Sequence, residues 1–226
     1  MVRKVTAVSK KPDYTLEYSF LGKGAVIGVD EAGRGPWAGP VTATAFWVNP
    51  ERIYKLPKIL TDSKKLSASK REQLKKELCA ADNGHLWATR HSSVDEIDKF
   101  SILQATFSAM AEAVSALSHL LLQRQGLKVS MVLVDGNLLP TLDVDCKAVV
   151  RGDSRSLTIA AASILAKQAR DQIMHELATI FPNYGWQTNA GYGTKSHQIA
   201  LQQFGVTSHH RKSFGPIKKM LKTNIP

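Results

Sequence analysis

The chain has 226 residues, 43% of them hydrophobic, which suits one sizeable domain, alone or with an appendage. A net charge of +11 and a pI near 9.7 favour a polyanionic partner such as nucleic acid. Cys79 and Cys146 belong to no C-x-x-C pair, which argues against a disulfide framework or cysteine zinc site and for a reducing, cytoplasmic setting. Residues 1–20 lack the apolar core of a signal peptide, and no run approaches the length needed to span a bilayer, so no membrane contact is expected.

In chain order, residues 1–20 are polar and basic (Arg3, Lys4, Lys10, Lys11) and predict a loose tail. Residues 25–29 form an unbroken apolar run, the pattern of a strand buried on both faces. The run ends on adjacent carboxylates, Asp30 and Glu31, followed by Gly33-Arg34-Gly35. A carboxylate pair at the mouth of a buried strand is costly unless a cation neutralises it. A Gly-Arg-Gly loop lets backbone approach a ligand closely while presenting one positive fork. Together they predict a divalent metal site beside a phosphate-contacting loop. Residues 41–48 alternate and suit a second strand paired with the first. Residues 51–60 read only as a connector.

A helix is expected over 68–80, opened by a Ser69–Glu72 capping box or by Ser67. Lys70, Arg71, Lys75 and Lys76 read as its solvated face, and Lys64 and Lys65 as surface lysines ahead of it. Residues 85–91 read weakly as a strand. Ser93 and Glu96 form a capping box before one long helix or two consecutive ones over 94–123, ended by Gly126. Residues 129–134 repeat the first pattern, a buried strand ending on an acid, Asp135. Residues 144–150 repeat it again, before Arg151-Gly152-Asp153. Adjacent strands would bring these acids to one end of a sheet.

Residues 154–177 predict a helix whose first half is small and apolar almost all round, hence buried against the sheet. Lys167, Arg170 and Asp171 mark its exit to solvent. Pro182 breaks it. Tyr192, flanked by Gly191 and Gly193, has a shape suited to stacking on a sugar or base; a packing tyrosine is the alternative. A short helix is expected over 197–204. His209, His210, Arg211 and Lys212 lack partners at zinc-ligand spacing and read as a phosphate contact or plain surface.

Four acids stand out: Asp30, Glu31, Asp135 and Asp153. Hard oxygen ligands select Mg²⁺ or Mn²⁺. Four carboxylates exceed what one Mg²⁺ usually takes from protein, whereas two ions roughly 3.5–4 Å apart suit in-line phosphoryl displacement. With a basic surface, this reads as a metal-dependent nuclease.

The motifs also carry a family likeness. Asp30-Glu31-Ala32-Gly33-Arg34-Gly35-Pro36 with Gly39-Pro40 resembles the signature of ribonuclease HII. Asp62-Ser63-Lys64-Lys65-Leu66, Ile102-Leu103-Gln104-Ala105-Thr106, Val134-Asp135-Gly136 and Gly152-Asp153 follow in the family's order. So do residues 160–167, Gly191-Tyr192-Gly193-Thr194 and His210-Arg211-Lys212-Ser213-Phe214, and the likeness spans roughly 22–216.

The resemblance implies an α/β fold of the RNase H-like type: a mixed central sheet flanked by helices, with a small helical C-terminal region. The implied division is a flexible basic tail over 1–20, a catalytic domain over 21–178 and a substrate-binding region over 179–226. It implies that Asp30, Glu31, Asp135 and Asp153 hold two Mg²⁺ or Mn²⁺ ions with substrate, and that Asp171 is not a member. The implied substrates are RNA–DNA hybrids and DNA duplexes containing single ribonucleotides. The implied cut is made on the RNA strand, or 5′ of the embedded ribonucleotide, leaving 5′-phosphate and 3′-hydroxyl ends. Gly33, Arg34 and Gly35 would read the ribose 2′-OH, Tyr192 would pack on the next sugar, and Lys64 would contact a phosphate. A monomer is expected.

Some positions depart from the family's pattern. Asn189 and Ala190 stand where a His-Lys pair is common, Gly205-Val206-Thr207-Ser208 replaces a proline-rich turn, and Ser101 replaces asparagine. The short stretch before Asp30 and the aspartate at 153 distinguish the chain from ribonuclease HIII. A nuclease restricted to DNA and a non-catalytic nucleic-acid-binding module are the competing readings.

Overall fold

A computed structural model describes residues 11–60, 63 and 66–223. The 25–29 run becomes β1 (Ala25–Ala32), the middle strand of a five-stranded sheet with order β3-β2-β1-β4-β5. β2 (Val41–Trp47) and β3 (Leu86–Ser92) add antiparallel on one side. β4 (Val129–Asp135) and β5 (Cys146–Val149) add parallel on the other. This is the mixed sheet expected. Residues Ala25 to Asp30 are all buried, because helices cover both faces of the central strand.

One face carries α4 (Ile102–Gln125), which lays Ala109, Met110, Ala113, Leu117 and Leu121 over Ile27, Val29, Ala43 and Ala45. By length and composition α4 could cross a membrane, contrary to the reading that no run is long enough. Its apolar stripe is instead the core of this layer. The 94–123 stretch divides into α3 (Val94–Phe100) and α4 at Ser101, whose φ of 83° breaks the helix. The Ser93–Glu96 capping box is formed as expected.

The other face carries α5 (Leu157–Ile180) and α2 (Ala68–Leu78), which bury Ala160, Ala161, Ile164, Leu74 and Leu78 against Phe46 and Val48. The small residues of α5 let its first turn lie on β1 at Gly28. A Cβ there would run into the backbone of Thr158 and Ile159. The cap of α2 is Ser67, whose Oγ accepts from Lys70 N at 3.2 Å; Ser69 lies inside the helix.

Residues 1–10 fall outside the described residues. Those just after them do not behave as the loose tail expected. Tyr14 and Glu17, beside and within α1 (Thr15–Tyr18), are buried. Glu17 Oε1 accepts from Thr158 N at 3.0 Å, Thr158 Oγ1 at 2.8 Å and Ser156 Oγ at 2.7 Å. A carboxylate at the orphan Thr158 amide complements the positive end of α5. The local sequence carries no sign of it, because the partners are some 140 positions away.

The C-terminal region builds α6 (Trp186–Asn189), α7 (Lys195–Phe204) and α8 (Gly215–Thr223) around Tyr184, Trp186, Leu201 and Ile217. Met174 and Ala178 of α5 belong to the same cluster. The expected division at residue 178 therefore falls inside one helix that serves both regions.

Gly28→Ala should cost about 3 kcal/mol or more, because the methyl meets helix backbone rather than a movable side chain. Thermal unfolding checks this: an unchanged Tm would contradict the close contact of α5 on β1.

Candidate active site

The parallel register places the acids. Val29 pairs with Val134, so Asp30 and Asp135 follow on neighbouring strands, and Asp135 pairs with Val149. β1 continues through both Asp30 and Glu31 to Ala32, so the pair lies within the strand rather than after it. Asp153 sits beyond β5, in a 3-10 turn over Gly152–Ser154. All four carboxylates line one cleft of about 440 Å³, with Gly33, Arg34, Gly35 and Tyr192 on its wall. Lys64 lies outside the described residues.

Contacts in this cleft restrain Asp30, Glu31 and Asp135. Asp30 is buried; its Oδ1 accepts from Glu31 N at 2.7 Å, and Ser163 lines the same cleft. Ser163 Oγ is 3.0 Å from Ser63 Oγ. Asp135 Oδ1 accepts from Gly152 N at 2.6 Å, which ties the turn carrying Asp153 to the end of β4. Glu31 faces the Arg34 guanidinium at 3.6 Å. Burial first, then the charges of Glu31 and Asp135, hold the Asp30 carboxyl well above the ordinary carboxylate range.

Among the described residues, no three such side chains already close on one point as a metal set. The donor set, all carboxylate oxygen with one member penalised for its charge, nonetheless fits hard divalent cations.

The sequence model described as Ribonuclease HII matches residues 27–216. The chain belongs to the ribonuclease HII family. It is 51% identical over 213 residues to the ribonuclease HII of Paracoccus denitrificans, covering 93% of this chain and 95% of that one. To the ribonuclease HII of a Ruegeria species it is 48% identical, over 93% and 87% of the two chains. The crystal structure of ribonuclease H2 from Pyrococcus horikoshii superposes with a TM-score of 0.70 at 23% identity, covering 88% of this chain and 98% of that one. That of Bst-RNase HIII in complex with Mn²⁺ superposes with a TM-score of 0.73 at 16% identity, covering 93% and 73%. At such identities the solved structures establish the fold. Ribonucleases HII are nucleases, so this chain is an enzyme of the hydrolase class.

Two arginines that shape the ribonuclease HII site escape a reading of local sequence. Arg170, expected at the helix exit, is buried. It donates to the carbonyls of Pro40 (3.0 Å), Ala190 (3.0 Å) and Ala38 (3.1 Å). Arg211, expected at the surface or on a phosphate, is buried too. It donates to the carbonyls of Gly33 (2.6 Å), Gly39 (2.9 Å), Arg34 (2.9 Å) and Pro40 (3.1 Å). Burial lowers Arg170 to about 10 and Arg211 to about 9, so both remain charged at neutral pH. They replace the ladder partners that the loop of residues 33–40 does not have. Gly33, at φ +100°, packs against Arg170, and any side chain there would collide with it. A sequence signal for Arg170 existed: Ser163, Ala166, Arg170, Met174 and Ala178 recur at helical spacing on the buried stripe. Arg211 had none.

Arg71 and Lys167 also line the cleft. Arg71 is not on a solvated face: it donates to the carbonyls of Leu66 (2.6 Å) and Ser63 (3.2 Å) and pairs with Asp171 at 3.4 Å. Lys167 pairs with Asp171 at 2.7 Å. Asp171 is thus engaged by two cations, apart from the four acids. Lys212 N donates to Asp98 Oδ2 at 2.8 Å, fixing the end of the former basic cluster to α3.

The raised Asp30 carboxyl has a stability consequence for the metal-free enzyme. The folded state holds its proton more tightly than the unfolded chain. The resulting stabilisation is full below the unfolded carboxylate value, about pH 4, and is lost as pH rises toward the folded value. Asp30→Asn should remove that loss. In EDTA at neutral pH its Tm should exceed the wild type's, with a flatter dependence on pH; a lower Tm at every pH would contradict the assignment.

Proposed function

We propose that this enzyme is an endoribonuclease that cuts the RNA strand of RNA–DNA hybrids and incises duplex DNA 5′ of single embedded ribonucleotides. The observation carrying this is that the four acids, the Gly33-Arg34-Gly35 loop and Tyr192 line a single cleft. Asp30, Glu31, Asp135 and Asp153 would hold two Mg²⁺ or Mn²⁺ ions. When bound, such ions lower the pKa of water and stabilise a leaving oxygen, which accords with 5′-phosphate and 3′-hydroxyl products.

The protein's own part is recognition and restraint. Arg34 stands at the mouth of the acids, and Gly33 and Gly35 bring loop backbone close enough to read a ribose 2′-OH, the group that separates RNA from DNA at one position. The half-exposed Tyr192 ring stands against Gly35, where a sugar 3′ of the ribonucleotide could pack. Lys64 is assigned to a phosphate on the same family likeness. The charge of +11 supports a nucleic-acid footprint. We also place the enzyme in the cytoplasm as a monomer, on the two free cysteines and the default expectation for such a chain.

The test is cleavage of a labelled DNA duplex carrying one ribonucleotide, with Mg²⁺ or Mn²⁺ and with EDTA. A metal-dependent cut 5′ of the ribonucleotide is expected, falling about 10³-fold or more in Asp135→Asn. Equal cutting of all-DNA duplex would sink the substrate assignment. Affinity for the duplex, measured with the inactive variant, should fall linearly on a log–log plot against salt. A flat response would rule out a phosphate-dominated footprint.

A further inference from the structure

The loop carrying Tyr192 is held from beneath by buried rings that the proposed chemistry does not use. His197, in the first turn of α7, is fully buried. Its Nδ1 lies 2.9 Å from the Tyr192 carbonyl oxygen, so Nδ1 carries the hydrogen and donates. Nε2 is then an acceptor. It receives Trp186 Nε1–H at 3.2 Å and faces His210 Nε2 at 3.1 Å. His210 Nδ1 accepts the Thr207 N–H at 3.0 Å, which leaves the His210 hydrogen on Nε2, directed at His197. The hydrogen-bond network thus assigns one neutral tautomer to each ring, with Trp186 Nε1–H and His210 Nε2–H sharing the single lone pair of His197 Nε2, and Thr207 N–H and Oγ1 both at His210 Nδ1. Burial lowers both imidazoles, His210 to about 3, so neither serves as a cationic phosphate contact at neutral pH.

The same short segment reaches the other half of the site. His210 precedes Arg211, whose guanidinium gathers the carbonyls of Gly33 and Arg34. Arg211 N donates to Trp37 O at 2.8 Å, Gly39 N to His209 O at 2.9 Å, and Trp37 N to Gly191 O at 2.8 Å. Residues 209–211 therefore brace the Gly33-Arg34-Gly35 loop through Arg211 and the Tyr192 loop through His210 and His197. Tyr192 itself is tied locally by its own N–H to Asn189 O and by Thr194 N to its carbonyl. The His197 bond is the side-chain tie that links it to the rest of the C-terminal cluster.

We propose that His197, backed by His210 and Trp186, is a positioning residue for Tyr192. It sets where the ring stands relative to the Gly33-Arg34-Gly35 loop, and through that the preference for a ribonucleotide followed by a deoxyribonucleotide. This rests on the role given to Tyr192 above. Packing alone would make His197 replaceable by any residue that keeps the core filled; positioning requires the donor at Nδ1.

The two functions of the ring separate by substitution. The amide nitrogen of asparagine falls near Nδ1 and keeps the donor; the amide oxygen of glutamine falls near Nε2 and keeps the acceptor. The readout is kcat/KM on a single-ribonucleotide duplex divided by kcat/KM on a long RNA–DNA hybrid, with Tm measured for each variant. His197→Gln should lower the ratio about tenfold, and His197→Asn should leave it within about twofold, although both lower Tm. Ratios that follow Tm alike in both variants, or that do not move, would overturn the proposal. Imidazole ¹⁵N shifts of the wild type test it without any variant. Nδ1–H at His197 and Nε2–H at His210 are expected, and the opposite tautomer at His197 would overturn it. A wild type without junction preference would sink the Tyr192 reading itself. A preference that survives His197→Gln would sink the positioning role alone.

Discussion

A carboxylate buried beside two others is the constraint around which this molecule is arranged. Asp30 stands on the central strand, next to Asp135 in the parallel register and adjacent to Glu31. Burial and like charge both disfavour its ionised form, so the surroundings must hold it by other means. The Glu31 amide does so from within β1, and Ser163 of α5 stands in the same cleft. The close seat of α5 at Gly28 is what puts Ser163 within reach. A site so penalised for its charge has the donor chemistry that suits a hard divalent cation.

The second organising device is positive. The loop of residues 33–40 runs irregularly past the acids; Trp37 O is met by the Arg211 amide, while the carbonyls of Gly33, Arg34, Ala38, Gly39 and Pro40 take side-chain donors. Buried carbonyls need donors. Arg170 and Arg211 each supply several from one planar group, and neither is left to contact substrate. The loop of residues 33–40 is therefore held by two distant elements, α5 and the segment before α8, that converge on it. The same segment, one residue earlier, turns His210 toward His197 and the Tyr192 loop.

The N-terminal segment shows the same economy. Glu17 spends a buried charge on the first turn of α5, whose preceding turn carries Asp153. Asp135 grips that turn from the other side through Gly152 N. The fourth acid thus owes its place to a residue more than a hundred positions earlier and to a neighbouring strand.

By itself the sequence determined the elements and the chemistry. The apolar runs before Asp30 and Asp135 had to be buried strands, the small-residue stretch 157–166 had to be a tightly packed helix, and acids repeated at strand ends had to meet if those strands paired. These follow from local periodicity and desolvation cost, which one stretch of chain carries on its own. The tertiary structure alone decided which charges work inside the protein. Arg170, Arg211, His210 and Glu17 read locally as solvent-facing, like any polar or charged side chain near a loop or helix end. They are buried because their partners are carbonyls, amides and imidazoles brought from far along the chain, and only the packed fold places donor and acceptor together.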